Sequence, residues 1–310
     1  MLDNNIQTKS LPKSQSRQAR LLFRMTETFS ENEKIKALIV RGSIAKGLSD
    51  EYSDVDFLLI AKNECFFEIV VNLKKYFPND IRLLTDKGWI DTNVPNFGGI
   101  GFVYLVKFEG VLMQLDVYLL PEENAEKIVT FKDKKFLILK KPLNYGKRLN
   151  LDSHRYSDKI NKLIGKHPDD FQLFFDVLLH FEMLSKYICR ENVFLAYKYW
   201  YLLNSKIILF IRTILEPETK DFLFYDVSRQ LEKYHFKELY EFEKHLKTIA
   251  GLFDYGSLMA LFKMFTKLMK KHYSQLYKEN LGLIREVKSY MVEIYETRQA
   301  SLRNAPKGAI

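Results

Sequence analysis

The chain has 310 residues, 47% of them hydrophobic and 28% charged, with a formal net charge of +9. That length suits two domains of about 150 residues each, and the composition excludes disordered, fibrous and low-complexity classes. The positive charge is moderate and spread over both halves, which favours anionic ligands, nucleotides and RNA included, without the dense basic patch of a dedicated nucleic-acid binder.

Apolar runs such as Phe57-Leu58-Leu59-Ile60-Ala61 fall far short of the ~20 residues that span a bilayer. Met1-Leu2-Asp3-Asn4-Asn5 lacks a cationic segment followed by an apolar one, so a cytoplasmic location and no membrane partner are expected. The two cysteines, Cys65 and Cys189, exclude a disulfide scaffold and a four-cysteine zinc site, and both are expected to be buried thiols. His167, His180 and His272 form no ligand pair, so no zinc site is expected.

Residues 1–16 are polar and aperiodic and read as a flexible arm. Leu21, Leu22, Met25 and Phe29 then recur at helical spacing up to Ser30-Glu31-Asn32. Strands are expected at 35–40 and 55–60, with a helix over 64–76 that ends at Phe77-Pro78. Two further strands, 101–108 and 111–120, are joined by Glu109-Gly110, a hairpin turn that should pair them antiparallel. A short helix over 122–129 and a strand over 136–139 complete the first domain, expected to span 17–149. From 150 to 300 the pattern turns helical, with segments at 168–189, 191–215, 236–249, 256–278 and 280–297, and 301–310 reads as a tail. The predicted class is α+β: a mixed sheet domain followed by a helical bundle.

The chemistry concentrates in Arg41-Gly42-Ser43-Ile44-Ala45-Lys46-Gly47, which follows one strand, and in Ser53-Asp54-Val55-Asp56, which opens the next. Gly42 and Ser43 offer unhindered amides and a hydroxyl to phosphate oxygens as a short helical turn begins. Asp54 and Asp56 straddle Val55, and a period of two puts both carboxylates on one face, about 6–7 Å apart. Like charges so placed are explained by a divalent cation that takes hard oxygen ligands, Mg²⁺ above all. Asp116, in the middle of an otherwise apolar strand, supplies a third acid that would be costly there without a metal or hydrogen-bond partner.

Gly-Ser, about ten residues, Asp-x-Asp and a third carboxylate on a later strand together resemble the nucleotidyltransferase fold of the DNA polymerase β superfamily. A narrower similarity rests on Gly101-Phe102-Val103-Tyr104-Leu105, Leu115-Asp116-Val117-Tyr118-Leu119-Leu120-Pro121, Cys189-Arg190 and Phe194-Leu195-Ala196. It is to the aminoglycoside 6-adenylyltransferases that modify streptomycin, with the lincosamide nucleotidyltransferases similar in plan. The resemblance implies transfer of a nucleoside monophosphate, AMP from ATP or another NTP's equivalent, to a hydroxyl of a small molecule such as an aminoglycoside antibiotic. Asp54, Asp56 and Asp116 would be catalytic and metal-binding, with Asp116 a third ligand or the general base. Gly42 and Ser43 would hold phosphate, and Lys46, one turn further on, would reach it as a point charge. Lys186 is in register with a lysine of the family's second domain that would meet the triphosphate across a cleft.

The match to streptomycin enzymes is imperfect, because a polycation calls for carboxylates, and Asn192, Lys198 and Lys206 stand in the helical half where acids would help. The alternative is a toxin-like or regulatory nucleotidyltransferase acting on tRNA or a protein hydroxyl. The basic residues between 127 and 148 suit either a solvated edge or a polyanion track. Neither the acceptor, the donor base nor the oligomeric state is fixed by the sequence.

Overall fold

A computed structural model describes residues 16–85, 89–91, 98–130, 134–140, 170–215, 240–242, 244 and 254–304. The chain divides into two compact units, Met1–Lys166 and His167–Ile310. The expected boundary at 149–150, and the expected arm up to residue 15, lie outside the described residues.

The first unit opens with α1 (Arg17–Glu31), where the Ser16 hydroxyl accepts from the Ala19 amide at 3.2 Å as an N-cap. Its periodic residues Leu21, Leu22, Met25 and Phe29 are fully buried, each stabilising the unit by about 1.5–3 kcal/mol. Next come β1 (Ile35–Val40), α2 (Gly42–Lys46) and β2 (Val55–Ala61). The helix expected over 64–76 is instead a 3-10 turn (Asn63–Cys65), α3 (Phe66–Asn72) and a second 3-10 turn (Leu73–Tyr76). The break has a local cause: the Asn72 amide donates back to the Glu68 carbonyl at 2.9 Å, directly after the β-branched pair Val70-Val71.

Strands β3 (Arg82–Leu83) and β4 (Trp89–Asp91) are two and three residues long, too short for an alternation to be read. Then β5 (Ile100–Phe108) and β6 (Val111–Pro121) form the expected hairpin, with Glu109 and Gly110 both at positive φ, 49° and 80°. The short helix expected over 122–129 is a 3-10 helix (Glu122–Thr130), and it precedes β7 (Lys135–Leu139).

The strands form one mixed sheet in the order β3-β5-β6-β2-β1-β7, with β4 also on β5. Among the described strands only β2 and β6 run parallel, in the register Val55↔Leu115, Asp56↔Asp116, Phe57↔Val117. One face carries Val55, Phe57, Leu59, Leu115, Val117 and Leu119 into the core with α1 and α3. On the other face Ala37, Ile39, Leu58, Ile60 and Leu120 form a smaller cluster that Tyr118 packs against. Strand alternation places Asp56, Gln114, Asp116 and Tyr118 on this second face.

The second unit consists, among the described residues, of α4 (Asp170–Cys189), α5 (Val193–Leu215), α6 (Tyr255–His272), α7 (Ser274–Glu279) and α8 (Leu281–Asn304). The segment expected to be one helix over 256–278 breaks at Tyr273, whose ring packs 4.9 Å from Phe210 and whose hydroxyl meets Thr213 Oγ1 at 3.2 Å. The last helix runs on to Asn304, beyond the expected start of the tail at 301. Helix α4 is buried on most of its circumference, and Phe174, Phe181, Phe210 and Phe265 form its aromatic core. No described helix is long and apolar enough to cross a membrane.

Candidate active site

Asp56 and Asp116 are direct neighbours across the parallel β2–β6 pair, with backbones about 4.8 Å apart. Both are half-buried and share a face. Gln114 Nε2 donates to Asp116 Oδ1 at 2.9 Å, and Gln114 is itself buried, so that carboxylate is held by an amide from its own strand. Two acids at this separation repel each other, a cost that their partners must offset.

Gly42 borders the same place. Its φ of +64° is left-handed, and a Cβ built on it would overlap Asp56 Oδ2. Any other residue here would lose that close approach and strain the backbone. The strand ladder continues just past β1, where the Arg41 amide donates to the Asp56 carbonyl at 3.0 Å. Ser43 is half-buried in the first turn of α2, and Gly47, also left-handed at φ 75°, ends that helix. Lys46 is exposed in its last turn.

Asp54 lies one residue ahead of β2 rather than within it. Its loop is fixed from two sides. Within it, the Asp50 amide donates to Ser53 Oγ at 2.9 Å while the Ser53 hydroxyl donates to Asp50 Oδ1 at 2.7 Å. From α1, the buried Gln18 donates through Nε2 to the carbonyls of Asp50 and Glu51 at 2.9 and 3.0 Å. Among the described residues no three His, Cys, Asp or Glu side chains gather closely enough to form a metal cluster of their own. The structure therefore brings together Asp56, Asp116 and Gly42, with Asp54 and Ser43 next to them in the chain.

The donor chemistry nevertheless fits Mg²⁺, which is usually held by one or two carboxylates together with substrate phosphates rather than by an all-protein cage. The Asp56–Asp116 pair supplies hard oxygens, and the absence of a side chain at Gly42 lets the Asp56 carboxylate lie close against the start of α2.

Lys186 belongs to the second unit and is only 3% exposed, with its ammonium 2.8 Å from the fully buried Glu182 carboxylate one helical turn earlier. Two other acids of this unit are also paired inside it: Asp176 with Lys206 at 2.6 Å, and Glu191 with Arg298 at 2.7 Å. Asp169 lies outside the described residues. The lysines of 131–133 and 141–148 do too. Of the cysteines, Cys189 is buried, and burial raises its thiol to about 11, whereas Cys65 is half-buried rather than fully so.

Gln18, Gln114, Arg41 and Tyr118 are contributors that the motif did not single out. The Arg41 guanidinium sits 5.4 Å over the Tyr118 ring. A signal for Gln18 existed: an amide side chain in step with the apolar stripe of α1.

A family model described as "Nucleotidyltransferase domain" matches residues 24–170. None of the curated proteins matches the chain. Among solved structures, the chain is similar to an aminoglycoside 6-adenyltransferase from Bacillus subtilis, at 15% identity and a TM-score of 0.30, over 90% of this chain and 98% of that one.

Proposed function

We propose that the nucleotidyltransferase domain this chain carries over residues 24–170 moves a nucleoside monophosphate from an NTP, ATP in the first instance, to a hydroxyl acceptor. The observation that carries the reading is the Asp56–Asp116 pair, side by side on adjacent strands with Gly42 against Asp56. Asp54 and Asp56 would hold Mg²⁺, which supplies neutralisation of the charge that grows on the leaving pyrophosphate. Gly42 and Ser43 bind phosphate oxygens through amide and hydroxyl. Asp116 either completes the ligand set or takes the proton of the attacking hydroxyl, with Gln114 fixing the orientation of its carboxylate.

The acceptor that the sequence resemblance supports is a small hydroxyl-bearing antibiotic of the aminoglycoside type. A second reading, a neutral or anionic acceptor such as a tRNA end or a protein hydroxyl, is favoured by one observation. Asp176, Glu182 and Glu191 each have a cationic partner within their own unit, whereas a guanidinium-bearing acceptor calls for carboxylates it can itself pair with.

The test is to incubate the protein with labelled NTPs and Mg²⁺ against an antibiotic panel, purified tRNA and cell lysate, and to see where label appears. Transfer should require Mg²⁺ or Mn²⁺ and be abolished in Asp56→Asn with the fold retained. Near wild-type transfer by that variant would overturn the assignment. Asp116→Asn then separates its two roles: Mg·NTP binding persists without transfer if Asp116 is the base, and both fall together if it is a ligand.

A further inference from the structure

Arg41 directly follows β1 in extended backbone, on the same sheet face as the acids. Alternation from Ala37 and Ile39 puts it there, and its amide bond to the Asp56 carbonyl makes it the cross-strand neighbour of Asp56. From that position the guanidinium reaches across β2 to lie over the Tyr118 ring on β6, 5.4 Å from its centroid. Tyr118 is two residues beyond Asp116 and is half-buried against Leu58 and Ile60. A half-buried cation is thus held over an aromatic face, beside Asp56 and immediately before the Gly42-Ser43 turn.

We infer that Arg41 binds the triphosphate, with Tyr118 as the platform that sets its position. The inference rests on the nucleotidyl-transfer reading and adds a residue to it. Three physical points support it. Guanidinium is always charged and presents a planar fork of donors matched to phosphate oxygens. The Tyr118 ring, 5.4 Å from the guanidinium carbon, restrains the side chain before ligand arrives, which lowers the ordering cost of binding. A positive charge next to two metal-binding carboxylates also lessens their repulsion, but a lysine would do that equally well. The planar fork of donors is what distinguishes a phosphate contact from simple charge balance.

The experiment measures binding of a non-hydrolysable ATP analogue with Mg²⁺, and of inorganic tripolyphosphate with Mg²⁺, to wild type, Arg41→Met, Arg41→Lys and Tyr118→Leu, alongside thermal melts. Arg41→Met should weaken both ligands roughly 10- to 100-fold, the range of a lost charge-assisted hydrogen bond. Arg41→Lys should recover part of that loss, and Tyr118→Leu should weaken both ligands by a smaller factor with the arginine still present. Loss of analogue binding with tripolyphosphate binding intact would mean that Arg41 meets the base, and would overturn the inference. So would undiminished binding of both ligands by Arg41→Met in a chain whose wild type binds them. If Arg41→Met does not fold, Tyr118→Leu decides alone: wild-type affinity for both ligands overturns the inference. Wild-type protein that takes up no Mg·nucleotide at all overturns the nucleotidyl-transfer reading itself, and Arg41 with it.

Discussion

At the scale of single residues, Gly42 concentrates the most constraint. Two independent facts bear on it: its backbone is left-handed, and a Cβ there would overlap the Asp56 carboxylate. Gly42→Ala should cost about 1–2 kcal/mol of stability from the backbone alone. It should also displace Asp56, so transfer falls by more than about 100-fold, in keeping with the sensitivity of catalysis to misplacements near 1 Å. Activity assays on the folded variant check this: a stability loss of that size with normal turnover would mean that Gly42 serves only the turn. The motif made this residue visible in the sequence, because a glycine before Ser43 is part of the Gly-Ser pattern. What stayed hidden was which atom needs the space. Lys186 shows the converse. Its spacing from Glu182 was visible as an i, i+4 pair, but the burial of both side chains depends on packing against the rest of the helical unit, which no local pattern encodes.

At the scale of elements, the strands around the acids were legible because each is an apolar run interrupted by a charge: β2 carries Asp56 and β6 carries Asp116. The hairpin joining β5 and β6 was legible from Glu109-Gly110, and its tight turn fixes the register that sets Val103 opposite Asp116. Pairing of β2 with β6 was not legible, since parallel register depends on a crossover and not on adjacent sequence. In the helical unit, α5 is tied to α4 through Lys206 and Asp176, and Asp176 also faces His180 Nδ1 at 3.0 Å on its own helix. Burial on its own would push the Asp176 carboxyl up, but the His180 hydrogen bond and charge, with Lys206, outweigh it and hold it below the ordinary carboxylate range. A depressed folded value means stability that is present above the unfolded value, about 4, and lost as the pH falls through the folded one. The α4–α5 pairing should therefore weaken in acid, and Asp176→Asn should flatten the dependence of unfolding free energy on pH below about 4. Denaturant melts at a series of pH values check this. An acid slope identical in the variant would assign the effect to other carboxylates.

At the scale of the whole molecule, the chain holds two units with separate apolar cores, and the residues proposed for nucleotide lie in the first. Ligand that binds only the folded form stabilises it by RT ln(1 + [L]/Kd), about 2.7 kcal/mol at a hundredfold excess over Kd. On the proposed reading that free energy would enter through Asp56, Asp116 and the Gly42-Ser43 turn, so the transition that unfolds the sheet unit should move up with Mg²⁺ and a non-hydrolysable NTP together. Mg²⁺ alone should move it much less, because two carboxylates without phosphate oxygens leave most of the ion's coordination to water. Asp56→Asn should abolish the joint effect while the unliganded sheet unit still folds. Calorimetry on the full chain measures all three. A nucleotide-dependent shift that persists in Asp56→Asn would detach nucleotide binding from the acid pair, and a shift produced equally by NTP without divalent cation would remove the metal from the site.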